Sequence, residues 1–172
     1  SKKAASLWEE SERYLREAGV VFHGTRTGKA GNVAELTFDA CMAGYRKFIA
    51  VGGDGTVHDV LNGIAGFIDW NKAYGKSYSF SEFALGVIPL GSGNDWIKSL
   101  GITNDLRKAV EVIADGRLSK QDVVRVSMLD SDALPYERET SVSYMVNVGG
   151  IGIDAKVCDH VNRLKSQGRR GK

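Results

Sequence analysis

Apolar residues along this chain recur at two spacings, one typical of helices and the other of strands. Spacings of three or four residues predict helices, and short apolar runs that stop at turn-forming residues predict buried strands. Buried strands that alternate with helices indicate an α/β fold with a mainly parallel sheet sandwiched by helices and a closing antiparallel hairpin. The predicted helices cover residues 3–18, 32–44, 56–66, 94–99, 105–114 and 154–165, and the predicted strands cover residues 20–23, 47–51, 84–90, 119–129 and 140–148.

Glycines and polar residues mark the ends of these elements. Gly19 and Gly116 end the first and fifth helices, and Asn104 is the predicted N-cap of the fifth. Residues 24–31 form a loop. Residues 68–82 form a polar and aromatic insertion, which is either a lid or partner surface or a variable surface loop. No repeat of fixed period accompanies these elements.

The composition narrows the classes of protein to consider. The chain has 172 residues, which suits one domain, and its formal net charge of +2 gives no reason to expect nucleic-acid binding. Two cysteines are too few for a disulfide scaffold or a four-ligand zinc site. No apolar run is long enough for a signal peptide or a membrane span, so we expect a cytoplasmic protein. Glycine is in excess, with 21 residues, and needs a structural reason.

The first glycine-rich turn, Gly52–Thr56 (GGDGT), joins the predicted strand 47–51 to a helix. Glycines let a backbone approach a phosphate closely, and a helix start offers N–H groups at its positive end. Asp54 would repel a phosphate unless a cation lies between them or the acid faces a hydroxyl, so its presence suggests Mg²⁺. The alternative is a tight turn in which Thr56 caps the helix and Asp54 faces solvent. Three glycines within four residues exceed what such a turn needs.

The second glycine-rich turn, Gly91–Asp95 (GSGND), follows the predicted strand 84–90. Ser92 and Asn94 can hydrogen-bond a phosphate or a sugar, and Asp95 can hold a metal or a water molecule. The alternative is that Asn94 or Asp95 only caps a short helix. Both turns follow predicted parallel strands, whose carboxyl ends are where ligands gather in such folds.

A third turn, residues 147–155, contains Gly150, Gly152 and Ala155 at the spacing of a dinucleotide-binding fingerprint. The acidic residue that such a fingerprint needs about 20 positions later would fall beyond Lys172. The alternative function of a dinucleotide-dependent oxidoreductase is therefore supported by this turn alone. The chain has no Walker A motif and no Gly-x-Ser-x-Gly elbow. His58 either reaches a ligand at the first turn or is an exposed helical residue.

In combination, the three turns resemble the diacylglycerol kinase catalytic domain, a family that includes bacterial lipid kinases and the sphingosine and ceramide kinases. The GGDGT turn alone is shared with NAD kinases and, loosely, phosphofructokinases, whereas the turn Pro89–Trp96 is specific to the lipid kinase branch. The resemblance covers most of the chain. It implies a nucleotide-binding domain of the phosphofructokinase and NAD-kinase type that uses ATP and Mg²⁺ to phosphorylate a hydroxyl of diacylglycerol or a related lipid.

The resemblance also implies roles for individual residues. Asp54 matches the acid of the nucleotide-binding turn, and Asp95 matches the turn that organises phosphate and metal. We therefore expect both acids to be catalytic and to orient Mg²⁺ directly or through water. Asp59 stands where the family usually has Glu, Ser92 replaces a commoner Thr, and Trp96 replaces Phe. The residues that match nucleotide-binding positions are Thr27, Gly52, Gly53, Gly55, Thr56, Asp59, Gly91, Ser92, Gly93 and Asn94.

Two departures from the family pattern limit what residues 1–172 are expected to do alone. The family opens with a strand and an Asn-Pro-x-Ser-Gly turn, whereas this chain starts inside the following helix. The family also continues into a β-rich domain that carries much of the lipid site and the general base, whereas this chain stops at Lys172. We therefore expect one nucleotide-binding domain truncated at both ends, with the general base outside it.

The expected partners are ATP and a lipid, and no nucleic acid. A homodimer and peripheral membrane contact are compatible with the resemblance. Five basic residues near the end of the chain either contact anionic lipid or form a solvated helix end; they are Arg163, Lys165, Arg169, Arg170 and Lys172. The remaining alternatives are a NAD-kinase-like or other small-molecule kinase and a non-catalytic nucleotide-binding domain.

Overall fold

The structure, a computed structural model, describes residues 2–27, 33–90, 94–129 and 139–146, together with the helical residues Lys156, His160 and Arg163. In chain order the elements are α1 (Lys2–Glu17), α2 (Val33–Met42), β1 (Lys47–Gly52), α3 (Asp54–Ala73), a 3₁₀ turn (Phe80–Glu82), β2 (Ala84–Pro89), α4 (Asp95–Ser99), α5 (Leu106–Asp115), β3 (Val124–Leu129) and β4 (Glu139–Met145). Residues 28–31, 91–93 and 147–155, for which loops or turns were predicted, and most of 154–165 lie outside the described residues.

The two central strands, β1 and β2, pair in parallel and end at the same level. Their register runs from Lys47 opposite Ala84 to Gly52 opposite Pro89. One residue further, the N–H of Leu90 donates to the carbonyl oxygen of Gly52 at 3.0 Å. The turn after β1 and the turn after β2 therefore begin side by side at one edge of the sheet.

Helices cover both faces of this strand pair because buried side chains alternate along each strand. Ala50 of β1 and Val87 of β2 pack with side chains of α2, α3 and α4. Ile88 of β2 packs with Ile49 and Val51 of β1 on the opposite face, where α1 and α5 supply the remaining side chains. The predicted α/β fold, with a parallel sheet between helices, is confirmed. The predicted hairpin is also present, because β3 and β4 pair antiparallel.

Helices α2 and α3 pack closely because α3 has a glycine at their contact. A Cβ atom added to Gly63 would lie 2.6 Å from the Cβ of Thr37 and would collide with the carbonyl oxygen of Ala34. Real Cβ atoms do not approach other atoms this closely, so any side chain at this position must push the two helices apart. A second glycine of α3, Gly66, has only ordinary contact nearby, with a ring carbon of Phe38 at 3.7 Å.

We expect Gly63→Ala to lower the free energy of unfolding by about 1–3 kcal/mol, the usual cost of overpacking a close contact. Gly66→Ala is the matched control in the same helix, and it should raise stability by about 0.5–1 kcal/mol because alanine favours a helix. Urea unfolding followed by circular dichroism measures both. Equal effects of the two substitutions would contradict close packing of α2 on α3.

Two of the strand predictions differ from the structure. Residues 20–23 form no strand, because no strand in the described part of the chain pairs with their backbone. The side chains of Val20 and Phe22 instead pack against the sheet, while Val21 is 99% exposed. The strand predicted for residues 119–129 begins only at Val124, where pairing with β4 starts.

Helix α3 is longer than predicted at both ends. It begins at Asp54 rather than Thr56 and continues to Ala73, into the segment 68–82 that was predicted to be an insertion. The extension is stabilised because Asn71 is buried and its side-chain amide donates to the carbonyl of Phe67 at 2.9 Å. Among the residues that the structure describes, no helix is both long and apolar enough to cross a membrane.

The N-cap of α5 is Asp105 rather than the predicted Asn104. The carboxylate of Asp105 accepts hydrogen bonds from the N–H groups of Arg107 at 2.9 Å and Lys108 at 3.3 Å. The side-chain oxygen of Asn104 instead accepts from the amide of Asn94 at 3.0 Å. Gly116 ends the helix in the left-handed conformation, as predicted.

Candidate functional site

The carboxylate of Asp54 joins the two glycine turns. It accepts hydrogen bonds from the N–H groups of Asp95 at 2.9 Å and Trp96 at 3.2 Å. These are the first amides of α4, whose own N-cap residue, Asn94, makes no side-chain cap. A side chain from the first turn therefore caps the helix of the second turn. The carboxylate of Asp54 is thus bonded to the backbone of α4 rather than only to solvent. The role of Asp54 and Asp95 in holding Mg²⁺ stays a prediction.

The start of α3 is left open by the first turn. Its N-cap is Gly53, and among the described residues no side chain caps it, so the alternative of a Thr56 cap is also wrong. Gly52 must be glycine because a Cβ atom there would lie 2.7 Å from the Cβ of Thr56. Gly55, in contrast, has no atom within 4 Å of an added Cβ. Packing does not require that glycine, and the lack of a side chain leaves the helix start accessible.

The side chain of Asp95 lies at the surface beside this opening. Its side chain is 66% exposed and its Oδ1 accepts from the ammonium group of Lys98 at 2.6 Å. The preceding residue, Asn94, is buried and adopts a left-handed conformation with φ of 49°. Non-glycine residues are uncommon in this conformation. Asparagine is one of the few non-glycine residues that adopt it readily, so residue type and turn agree at this position.

A cleft of about 230 Å³ lies between the start of α3, α4 and the end of β4. Most of its wall is apolar, and the indole N–H of buried Trp96 has no hydrogen-bond acceptor among the described residues. The cleft contains Asp54, so the residue that joins the two turns also faces this space. Its lining residues are Asp54, Gly55, Val57, His58, Trp96, Met145 and Val146.

Part of this wall could not be predicted from the local sequence. Met145 and Val146 come from the end of β4, and nothing in their local sequence indicates that this hairpin reaches α3. His58 is exposed, as one alternative predicted, and it lines the cleft. Contact between His58 and a ligand stays a prediction. The hairpin is held against α3 by Asn62, whose side chain bonds to the backbone of Tyr144.

Asp59 lies on α3 beside His58 and is half-buried. Burial raises the pKa of its carboxyl group, and the nearby charge of His58 partly opposes that rise. An acid with a pKa raised by burial is more frequent at functional sites than elsewhere. In the described part of the chain, Asp59 is not one of the cleft-lining residues. Its role in nucleotide binding stays a prediction.

The other predicted site residues are placed as follows. Thr56 is half-buried in the first turn of α3, whereas Thr27 is exposed in the irregular segment after α1. In the described part of the chain, no hydrogen bond joins Thr27 to either turn. The nucleotide-binding role of Thr27 therefore stays a prediction. Gly91, Ser92 and Gly93 lie outside the described residues.

A parallel strand pair whose carboxyl ends carry two joined glycine turns defines an α/β domain of the kind that binds ligands at that edge. The family description that fits this chain is the diacylglycerol kinase catalytic domain, whose model matches residues 1–126. The chain therefore belongs to that family. The resemblance drawn from the glycine turns is confirmed, although the third turn lies beyond the matched residues.

Known relatives agree with this assignment. A protein of Enterobacter sp. (strain 638) named "Probable lipid kinase YegS-like" is 31% identical over 121 residues, which are 70% of this chain and 37% of that protein. A "Diacylglycerol kinase" of Staphylococcus carnosus (strain TM300) is 33% identical over 113 residues, 66% of this chain and 33% of that protein. Another of Staphylococcus aureus (strain JH9) is 34% identical over 113 residues, 66% of this chain and 32% of that protein. The chain thus spans about a third of the length of these curated relatives, and their names support a lipid kinase family.

Proposed function

We propose that this domain binds ATP with Mg²⁺ and, in the complete gene product, transfers the γ-phosphoryl group to a hydroxyl of diacylglycerol or a related lipid. The observation that carries this proposal is the joined pair of turns at the start of α3. Gly53 is its N-cap without a side-chain cap, Gly55 has open space in place of a side chain, and Asp54 fixes α4 beside it. Backbone N–H groups and the helix dipole at such a start favour a phosphate.

The residues of the site fit a magnesium ion. Mg²⁺ in phosphoryl-transfer sites is usually held by one or two carboxylates, water and the substrate phosphates rather than by a full protein cage. Asp54 and Asp95 supply two carboxylates at the joined turns, and the described residues contain no group of three or more His, Cys, Asp or Glu that could hold a metal. We infer that Asp54 and Asp95 hold the ion, which when bound neutralises charge on the phosphates.

The reaction forms a bond between the lipid oxygen and the γ-phosphorus and breaks the bond from that phosphorus to the oxygen of ADP. The proton of the lipid hydroxyl passes to a base that we expect outside residues 1–172. Such a transfer depends mainly on positioning and on charge neutralisation. In this chain, the start of α3 would hold the phosphates, and the bonds from Asp54 to α4 would place Asp95 beside them. Peripheral membrane contact and a homodimer stay predictions.

Phosphate transfer from γ-labelled ATP by the complete gene product tests the proposed function. Vesicles that contain diacylglycerol, ceramide or sphingosine serve as acceptors, and NAD serves as the small-molecule acceptor. We expect label in one of the lipids only. Label in NAD would favour a small-molecule kinase, and ATP binding without any transfer would favour a non-catalytic nucleotide-binding domain.

We expect Gly55→Ala to weaken ATP binding without lowering stability. The new methyl group meets no protein atom, but it covers the helix start where the phosphates would approach. Loss of one or two bonds from backbone N–H groups to a charged ligand raises the dissociation constant by roughly 10- to 100-fold. Calorimetric titration with ATP measures the affinity, and urea unfolding measures the stability.

Gly66→Ala is the control for this substitution, because it adds the same methyl group to α3 away from the turns. It should bind ATP as tightly as the wild type does. Unchanged ATP affinity in Gly55→Ala would show that the phosphates are held elsewhere.

A further inference from the structure

The side chain of Asn62 forms a reciprocal pair of hydrogen bonds with the backbone of Tyr144, 82 residues away in the chain. Its amide nitrogen donates to the carbonyl oxygen of Tyr144 at 2.8 Å. Its amide oxygen accepts from the N–H of Tyr144 at 2.8 Å. The side-chain amide thus pairs with β4 as a peptide group of a neighbouring strand would.

This pair lies on the outer edge of the hairpin. Tyr144 stands opposite Arg125 of β3. In antiparallel pairs, opposite residues either exchange both backbone bonds or point both groups outwards. Both backbone groups of Tyr144 meet Asn62, so they point away from β3. Asn62 therefore satisfies backbone groups that an edge strand would otherwise leave unpaired, and it fixes β4 against α3 at one register.

Residues close in sequence to each member of this pair line the cleft. Met145 and Val146 directly follow Tyr144, and His58 lies one helical turn before Asn62. The amide nitrogen of Asn62 also donates to the carbonyl oxygen of His58 at 2.8 Å and lies 3.4 Å from its ring nitrogens. Asn62 itself does not line the cleft. It contacts His58 in one wall and Tyr144, which directly precedes the two residues of the other wall.

We propose that Asn62 is a positioning residue that sets the distance between α3 and the end of β4, and so the width of the cleft for the lipid acceptor. This inference rests on the proposed function, which supplies the acceptor. The cleft is lined by Asp54, so a group that enters it would lie beside the proposed phosphate site. The adenine base lies at the opposite end of ATP, so the apolar wall suits the acceptor better.

The test compares Asn62→Ala with Asp69→Ala in the complete gene product. Asp69 of α3 makes a second contact with the hairpin, because its carboxylate accepts from the hydroxyl of Tyr144 at 3.5 Å. Asp69→Ala therefore weakens the same interface without touching the cleft or the backbone pair. Asn62→Asp keeps an acceptor for the N–H of Tyr144 and removes the donor, and it replaces Asn62→Ala if that variant does not fold.

We expect Asn62→Ala to raise the KM for the lipid by roughly tenfold or more, since small displacements at a reacting site have large effects. The KM for ATP should stay within about twofold, because the phosphates bind at the start of α3. Asp69→Ala should leave both KM values unchanged. Wild-type KM values in Asn62→Ala would mean that the hydrogen bonds between Asn62 and Tyr144 serve stability only. A rise in the KM for ATP instead of the lipid would mean that the apolar wall of the cleft binds adenine. Both results would overturn the inference.

Amide hydrogen exchange separates this inference from the proposed function. If the wild type phosphorylates no lipid, the proposed function fails, and the exchange rates of Met145 and Val146 still report the cleft wall. Faster exchange at these two residues in Asn62→Ala than in Asp69→Ala supports positioning by Asn62. Equal rates in the two variants overturn it.

Discussion

Replacement of Asp95 by asparagine should lower phosphoryl transfer by at least roughly a hundredfold, the usual effect of removing a charge that stabilises the reacting groups. The fold should be preserved, because the structure uses the backbone N–H of Asp95, not its side chain, to join α4 to Asp54. Among the described residues, the carboxylate itself pairs with Lys98 at the surface, and such an exposed ion pair is worth about 0–1 kcal/mol. Initial rates with γ-labelled ATP and urea unfolding measure the two effects.

Lys98→Met provides the control, because it removes the same ion pair from the other side. If Asp95 acts on the phosphates through its charge, Lys98→Met keeps a rate within a few-fold of the wild type. Equal losses in the two variants would mean that only the pair matters. A wild-type rate in Asp95→Asn would remove Asp95 from the catalytic site.

We expect Arg46→Ala to lower the free energy of unfolding by about 3 kcal/mol, through the loss of charged hydrogen bonds and cation–π contacts together. The guanidinium donates to the carbonyl oxygens of Cys41 at 2.9 Å and Tyr45 at 2.8 Å. It also lies 4.8 Å from the ring centroid of Phe67, and two further rings surround it, those of Tyr78 and Phe83 at 5.1 Å. Urea unfolding gives the change.

Two further variants separate the charge of Arg46 from its shape. Arg46→Lys keeps the charge but cannot donate to two carbonyls while lying flat on the rings, so it should recover only part of the loss. Arg117→Ala removes an arginine whose side chain is 84% exposed and paired with Asp115, and it should change stability by less than about 0.5 kcal/mol. A similar loss in Arg117→Ala and Arg46→Ala would contradict the stabilising role of Arg46.

The spacing of apolar residues correctly predicted the helices and strands that bury one face against a neighbouring element. The helices α1, α2 and α5 and the strands β1 and β2 fall within a few residues of their predicted ranges. The segment 20–23 has the same composition as a strand, but a strand also needs a partner for its backbone, and composition does not supply one. The second half of α3 was missed because its polar and aromatic residues pack against distant parts of the chain, as Trp70 does against Phe38.

The position of the site could be predicted from the sequence, because the order and direction of the strands determine where the two turns lie. Parallel strands end at the same edge, so the turns after β1 and β2 had to meet there. The hydrogen bonds between them were not predictable, because Asp54 and the amides of α4 are more than 40 residues apart in the chain. The Asn62–Tyr144 pair is more distant still, and asparagine in a helix has no local signature for such a role.

Helix α3 carries three contacts that depend on its length and phase. Asp54 reaches α4, Asn62 reaches β4, and Asp69 reaches the hydroxyl of Tyr144. One inserted residue in a helix turns everything beyond it by about 100° and moves it by about 1.5 Å. An insertion or deletion between Asp54 and Asp69 would therefore break the docking of the hairpin. Related sequences should accordingly keep this interval constant.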